Sequence, residues 1–498
     1  MPGIQHSDYD VVIVGCGPTG ATLGNLLAIS GLSVLILERE KKLYDLPRAV
    51  HFDDETMRVF QTVGIADELK PLVRINPGMR FVDSNNTILL DWPRPQTITN
   101  QGWNASYRLH QPDLESLLRS AIKKQPRCTL LTGRKVIGIQ QKPHSISVSY
   151  EFNGAGKTHV TASYVVGCDG ANSFVRNSLD IPIEDLGYRE RWLVVDILLK
   201  RELPHLGDHT IQYCDSTQPM TYCRNPGLRR RWEMALPDSV TDSEAKNDTR
   251  IWALLSRWIG AEDAIIERKA VYTFRSAIAS TWQHKRVAIA GDAAHLTPPF
   301  MGQGMCAGIR DASNLAWKVA FCVKHGHNDA LVNSYTLERR PHVLQYIRTA
   351  IKLGQLINSI DQSSAHKFGP SKGEGNHTMA SITPRLGDAQ LTGSLDHRSE
   401  NSGVLSRQPL LINGTKLDDY CGYAPVLLVR CIASIPSMEN IPICCLSGED
   451  HPAVDQQLDE LRCNAVLIRP DRYVLGVANS VEEIQKLVDG FSSLQTSS

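Results

Sequence analysis

Residues 9–20 read YDVVIVGCGPTG, a continuous apolar run that breaks abruptly into glycine. Such a run fits a strand buried on both faces of a parallel sheet. Behind it, GPTGATLGNLLAIS (17–30) spaces Ala21, Leu23, Leu26, Leu27 and Ile29 as a mostly buried helix would. Gly31 stands where a helix stop belongs, and SVLILE (33–38) is a second buried strand. The three pieces make one β-α-β unit. Within it Gly15, Gly17 and Gly20 form G-x-G-x-x-G, and Glu38 closes the next strand roughly 20 residues on, the arrangement of dinucleotide-binding folds. Bare glycines let a pyrophosphate reach the helix N-terminus, and Glu38 is placed to take adenosine ribose hydroxyls. NAD and FAD proteins share this pattern.

Working outward, SYVVGCDG (163–170) and RVAIAGDA (286–293) are two further apolar strands that end in Gly and Asp. Between them, WLVVDILLK, HTIQYCD and RRRWEMAL read as antiparallel strands, so a sheet is inserted within the nucleotide-binding fold. HQPDLESLLRSAIKK (110–124) is a helix, with Pro112 at its start, acids in its first turn and bases in its last. The stretch GDAAHLTPPFMGQG (291–304) precedes a core helix marked by Met305, Ile309, Ala312, Leu315, Ala316 and Val319. Its stiff prolines and bare glycines suit a backbone that lies against something flat or anionic. Free N–H groups at Gly302 to Met305, at the helix N-terminus, would stabilise negative charge there. Residues 360–405, rich in Ser, Gly, His and Asn, read as a loose connection, after which APVLLVR and NAVLIRPDRYVLGVA resume strand patterning.

Composition narrows the partners. Lys+Arg and Asp+Glu balance at 53 each over 498 residues, which gives no reason to expect nucleic acid or an anionic membrane. No apolar stretch reaches the ~18 residues a membrane span needs, and MPGIQHSDYD is no signal sequence. The 12 cysteines contain no C-x-x-C pair and no zinc-ligand spacing. No metal, reduced thiols and a cytoplasmic location are therefore expected.

Taken jointly, GCGPTG (15–20), CDGANSFVR (168–176) and GDAAHLTPPFMGQGMCAGIRDASNLAWK (291–318) resemble the group A FAD-dependent aromatic hydroxylases, of the phenol hydroxylase and 3-(3-hydroxyphenyl)propionate hydroxylase type. PRAVHFDDE (47–55), HQPDLE (110–115) and RPDRYV (469–474) extend the resemblance over nearly the whole chain. It implies an α/β fold with a Rossmann-like FAD-binding domain (1–180 and 275–375), an inserted antiparallel substrate sheet (181–274) and a C-terminal thioredoxin-like domain (400–498). It also implies bound FAD, reduction by NADH or NADPH, and insertion of one oxygen atom of O2 into a phenolic ring through a flavin C4a-hydroperoxide.

Residue by residue, the resemblance assigns Asp292 to the ribityl chain, Arg48 and Gln111 to the flavin ring or phosphates, and Asp169 to the D-G motif of both nucleotides. Pro298, Gly302, Gln303, Gly304 and Met305 form the strap against the flavin. Asp53 and Asp54 either cap the helix that follows them or deprotonate a phenol as general base. His51 is a candidate pocket residue, and Tyr213, Tyr222 and Arg231 lie on the sheet expected to roof the substrate. Cys444 and Cys445 fall in the tail, which, lacking C-x-x-C, is expected to do no disulfide chemistry. The rival readings are a biosynthetic monooxygenase acting on a larger polyketide-like or alkaloid compound, and an inactive flavin-binding sensor or assembly partner. A homodimer is left open.

Overall fold

The computed structural model describes residues 7–44, 48–152, 155–358, 377–388, 400–431 and 443–494. The opening β-α-β unit forms as read: Tyr9–Val14 pairs in parallel with Val34–Glu38 on one side and with Ala155–Gly167 on the other. Val287–Ile289 and Cys128–Thr132 extend the parallel sheet at its two flanks. Its apolar strands are covered by the helices Pro18–Ile29, Gln111–Lys124 and Gly304–His325, so they bury both faces, and Val11, Val12 and Ile13 are fully buried. Asn25, polar and buried in the first helix, is satisfied by the carbonyls of Ala21 (2.9 Å) and Leu118 (3.1 Å), which ties that helix to Gln111–Lys124.

The second sheet has nine strands and reaches beyond residues 181–274. Its middle is Ala264–Ala279, Ile183–Leu199, Arg229–Ala235, Met220–Arg224 and Thr210–Tyr213, in that order. Gly78–Val82 and Ile88–Pro93 then join from the N-terminal part of the chain, His377–Thr378 adds the far edge, and His295–Leu296 the near one. Within the 360–405 connection, 377–388 supplies the edge strand, while 359–376 and 389–399 lie outside the described residues. A small three-stranded sheet, His51–Asp53, Ser106–Arg108 and Arg74–Ile75, bridges the two large ones.

The C-terminal part folds as a mixed four-stranded sheet in the order Cys444–Ser447, Val426–Val429, Ala465–Ile468, Val474–Ala478, with helices Pro452–Leu461 and Val481–Ser493. One side of this sheet merges with the main core through Leu427, Val429 and Leu467, and Phe491 stacks on Trp317 at 6.2 Å. Buried ion pairs cross the same junction. Arg58, 1% exposed, donates from Nε (2.5 Å) and Nη2 (2.9 Å) to Asp418 and from Nη1 to the Ser406 carbonyl (2.6 Å). Glu338 accepts from Lys318 (2.7 Å) and twice from Arg469 (2.8 Å each). Burial works to raise the Glu338 carboxyl, but Arg469 and Lys318 hold it down to about 2. The late RPDRYV motif is therefore part of this junction rather than of a ligand site.

Candidate active site

Three strand ends converge on one cleft. At the first, a Cβ on Gly15 (φ +99°) would stand 2.5 Å from the Cys168 carbonyl, and one on Gly20 would stand 2.2 Å from the Gly15 carbonyl. These two glycines seat the turn against the protein. Gly17 is different: nothing lies within 4 Å of the Cβ position, and it caps Pro18–Ile29 without any side-chain hydrogen bond, which leaves the helix N-terminus open. Glu38 accepts from the N–H groups of Cys16 (2.7 Å) and Glu40 (2.8 Å), so its carboxylate is held beside that turn.

At the second strand end, Asp169 accepts from Ser173 Oγ (2.5 Å) and the Val175 N–H (3.0 Å), and so shapes its own loop. At the third, Asp292 has no hydrogen-bond partner among the described residues. It is solvent-accessible yet deep in the cleft, where burial pushes its carboxyl up against the opposing pull of His295 and Arg48. Arg48 is half-exposed and makes one long hydrogen bond, 3.3 Å to Glu115. Gln111 pins the same segment, accepting from the Ala49 N–H at 2.5 Å and donating to Glu115 at 2.6 Å. An open helix end, an unpartnered carboxylate and a half-exposed, weakly paired arginine together fit a bound dinucleotide.

The strap runs from Pro298 into the helix Gly304–His325. Gly302 (φ +64°) donates its N–H to the Pro299 carbonyl at 2.8 Å, so it is not one of the free donors expected there. The N–H groups of Gln303, Gly304 and Met305 have no acceptor among the described residues, and Gly304 faces open space. The Gln303 side chain turns inward instead, donating to Asp53 (3.1 Å) and accepting from Arg310 (3.0 Å). His51 braces the strap from behind: its Nδ1–H donates to the Gly302 carbonyl at 3.2 Å, and Nε2 accepts from Ser106 Oγ at 2.8 Å. Burial, helped by the Arg108 charge, lowers His51 to about 3, so the ring is neutral.

The two acids separate. Asp53 caps Asp54–Val63, accepting from the Thr56 N–H (3.0 Å) and Oγ1 (2.7 Å), and pairs with Arg310 at 2.5 Å. Burial works to raise it, but Arg310 holds the carboxyl well below the usual carboxylate range. Its geometry is that of the cap, not of a base. Asp54 accepts from Thr99 Oγ1 at 2.6 Å, and burial plus the Asp53 charge raise it to about 7. It does not line the cavity described next.

Between the strap and the nine-stranded sheet lies a cavity walled by His51, Phe300 and Gly302 on one side and by Thr210, Gln212, Thr221, Cys223 and Glu233 on the other. Arg108 enters it from the bridging sheet, and Arg94 from just past the strand Ile88–Pro93 of the nine-stranded sheet. Strand alternation corrects the aromatic assignment. Gln212 faces the cavity, so Tyr213 faces away and packs on Trp258 (4.9 Å); Thr221 and Cys223 face it, so Tyr222 packs on Trp232 (5.0 Å). Arg231 shares the parity of Glu233, but its guanidinium donates to Asp196 (2.7 Å) and to the Arg48 carbonyl (2.6 Å).

The polar groups of the cavity were not singled out in the sequence. Arg108 is 5% exposed and donates to Thr210 Oγ1, and Arg94 lies over the Trp92 ring at 3.9 Å with a buried, unpartnered Nη1. Burial lowers both, Arg94 to about 10, and each is also lowered by a neighbouring arginine. Glu233 is buried 3.6 Å from Arg231, and loss of hydration raises its carboxyl above the usual range. A period-two reading of the strands would have found Gln212, Thr221 and Glu233. Nothing local marks Arg94 or Arg108.

Residues 8–350 match the FAD binding domain family. Over 512 aligned residues, 98% of this chain and 95% of the relative, the chain is 34% identical to the probable NADH-specific resorcinol 4-hydroxylase of Rhodococcus jostii (strain RHA1). It is 37% identical over 352 residues to the 3-(3-hydroxy-phenyl)propionate/3-hydroxycinnamic acid hydroxylase of Paraburkholderia xenovorans (strain LB400), covering 70% of this chain and 55% of that one. Among solved structures, the flavin-dependent monooxygenase PieE in complex with FAD and substrate superposes with a TM-score of 0.81, at 19% identity, over 99% of this chain and 100% of that one.

Proposed function

From the premise that this chain belongs to the group A FAD-dependent aromatic hydroxylases, we propose that it hydroxylates a small phenol held in the cavity between the Gly302 strap and the nine-stranded sheet, using NADH as reductant. The observation that carries this reading is the cavity lining: one side is the strap expected to face the flavin, and with it stand the buried Arg108, the half-buried Arg94 and the buried acid Glu233. NADH is inferred from the Rhodococcus relative.

When bound, FAD takes electrons from the nicotinamide and activates O2. The protein's share is placement and charge. Gly17 admits the pyrophosphate, Glu38 takes the adenosine ribose, Asp292 the ribityl chain, and the Gln303, Gly304 and Met305 N–H groups face negative charge on the ring. Arg48 and Gln111 hold the covering segment, Pro298 stiffens the strap, and His51 fixes the Gly302 carbonyl. In the cavity, Arg94 and Arg108 favour the phenolate over the phenol, and Glu233 is the group positioned to accept its proton. A phenolate is richer in ring electron density and so a better nucleophile toward activated oxygen. Asp53 acts indirectly, holding Arg310 and Gln303 behind the strap.

The test is substrate-stimulated NADH and NADPH oxidation across phenols and phenolic acids, with product mass checked for one added oxygen. Glu233→Gln should still bind FAD, while hydroxylation falls by roughly 10²–10⁴-fold, the usual worth of a positioned base. Stimulation only by large polycyclic compounds, or none by any phenol, would overturn the reading.

A further inference from the structure

The C-terminal sheet brings together two thiols that the flavin site does not use. Cys421 ends the short helix Leu417–Cys421, and Cys444 begins the strand Cys444–Ser447. That strand runs parallel to Val426–Val429 with Val426 opposite Cys444, so the helix end and the strand start meet at one end of the sheet. There the two Sγ atoms stand 2.9 Å apart across 23 positions of sequence. A disulfide needs about 2.05 Å, so the pair is within about 0.9 Å of a bond. Both side chains are partly open to solvent, which lets a small oxidant in.

We propose that Cys421 and Cys444 form a redox-active pair that closes reversibly to a disulfide when exposed to hydrogen peroxide or a related hydroperoxide. The Cys444 thiolate attacks one peroxide oxygen, the O–O bond breaks, and the sulfur becomes a sulfenic acid as the first water leaves. The Cys421 thiol then attacks that sulfur, the S–S bond forms and the second water departs. Two thiols give up two electrons and two protons, and one peroxide is reduced to two waters. The direction of attack follows from the contact: Cys421 S–H donates to Cys444, which lowers the Cys444 thiol and raises that of Cys421, with Arg472 favouring the thiolate. Three residues before Cys421, Asp418 receives Arg58 of the flavin-domain helix and Arg472 (3.1 Å). The disulfide would therefore fix the short helix on which that junction rests.

The inference needs only the folded chain and not the hydroxylase reading. The full-length protein is treated with hydrogen peroxide, the remaining thiols are alkylated, and intact mass and a non-reducing peptide map are recorded. Two of the twelve thiols should disappear, with a mass loss of about 2 Da, a cross-linked peptide joining Cys421 to Cys444, and recovery with dithiothreitol. Cys421→Ser and Cys444→Ser should each abolish the cross-link, whereas Cys445→Ser should keep it. The wild-type peptide map alone identifies the pair should a variant fold poorly. No cross-link at peroxide levels that oxidise an exposed thiol, or a cross-link that uses Cys445 or Cys431 instead, would overturn the proposal.

Discussion

Replacing Asp54 by Asn should make the protein more stable above neutral pH, an unusual sign for removal of a charged surface-type residue. The Asp54 carboxyl is raised from 3.8 to about 7, first by burial and then by the neighbouring Asp53 charge. Between those values the native state keeps a proton that the unfolded chain releases, so stability falls as pH rises, by about 1.4 kcal/mol per pH unit. Across roughly three units the full penalty approaches ~4 kcal/mol above pH 7, and it vanishes below pH ~4, where both states are protonated. Asn carries no titrating proton; its amide oxygen can still accept from the Glu55 N–H (2.9 Å in the wild type), and its NH2, in the place of Oδ2, can donate to Thr99 Oγ1 (2.6 Å), as the protonated carboxyl would. Urea unfolding of wild type and variant, each with excess FAD, should give equal midpoints near pH 4 and a variant advantage of about 2–4 kcal/mol at pH 8. Subtracting the two proteins at each pH cancels the other titrating groups. A gap that stays flat from pH 5 to 8, or a variant that is weaker at pH 8, would refute the environment described for Asp54.

Asp53→Asn should behave in the opposite way: the helix cap survives, but buried Arg310 loses a charge partner at 2.5 Å, which costs about 3 kcal/mol at pH 7 in urea unfolding. Because that carboxyl is held low by Arg310, its contribution is present above pH ~4 and lost on further acidification, so the wild-type advantage should shrink there. Asp292→Ala removes an unpartnered carboxylate, so fluorescence titration of the apoprotein should show FAD affinity lower by roughly tenfold to more than a hundredfold, with no loss of apoprotein stability. Gly17→Val should fold and lose FAD, while Gly20→Ala, whose Cβ would meet the Gly15 carbonyl at 2.2 Å, should lose soluble folded protein; the reverse pattern would move the phosphate site elsewhere.

How far the sequence could be read depended on how local each constraint is. The Gly15–Gly20 turn and its flanking strands are specified by neighbours in the chain, and the fold of residues 9–38 follows the pattern residue by residue. The strap was legible as a special backbone, yet which of its N–H groups stay free depended on a turn closing from Gly302 to Pro299. The cavity was the least legible. Tyr213 and Tyr222 drew attention as large polar aromatics, but a strand shows opposite faces to its two sides, and Gln212 and Thr221 hold the inner positions. Arg94 and Arg108 are distant in sequence from residues 181–274, and only the strand Ile88–Pro93 and the bridging sheet carry them inward. The same holds for Cys421 and Cys444, whose 23-residue separation hides a contact that a C-x-x-C search cannot see.

The ion pairs across the C-terminal junction bear on how such chains can be recombined. Arg58 has Gln101 as its acceptor within the flavin domain (2.7 Å), while Asp418 and the Ser406 and Arg407 carbonyls all come from the tail. Lys318 and Glu338 likewise sit in long helices of the main body and pair with each other, and Glu338 takes two further hydrogen bonds from Arg469, whose own charge is met by Asp471 of the tail. A chimera that joins this body to a foreign tail would strand a buried guanidinium at one point, a defect of about 3–5 kcal/mol, and strip a buried carboxylate of two of its hydrogen-bond donors at another. Domain exchange would then be viable only when the donor brings an acid at the position of Asp418 and a base at that of Arg469. Body and tail are thus compatible as a matched set, and a cut that looks clean along the chain falls across the interior of the molecule.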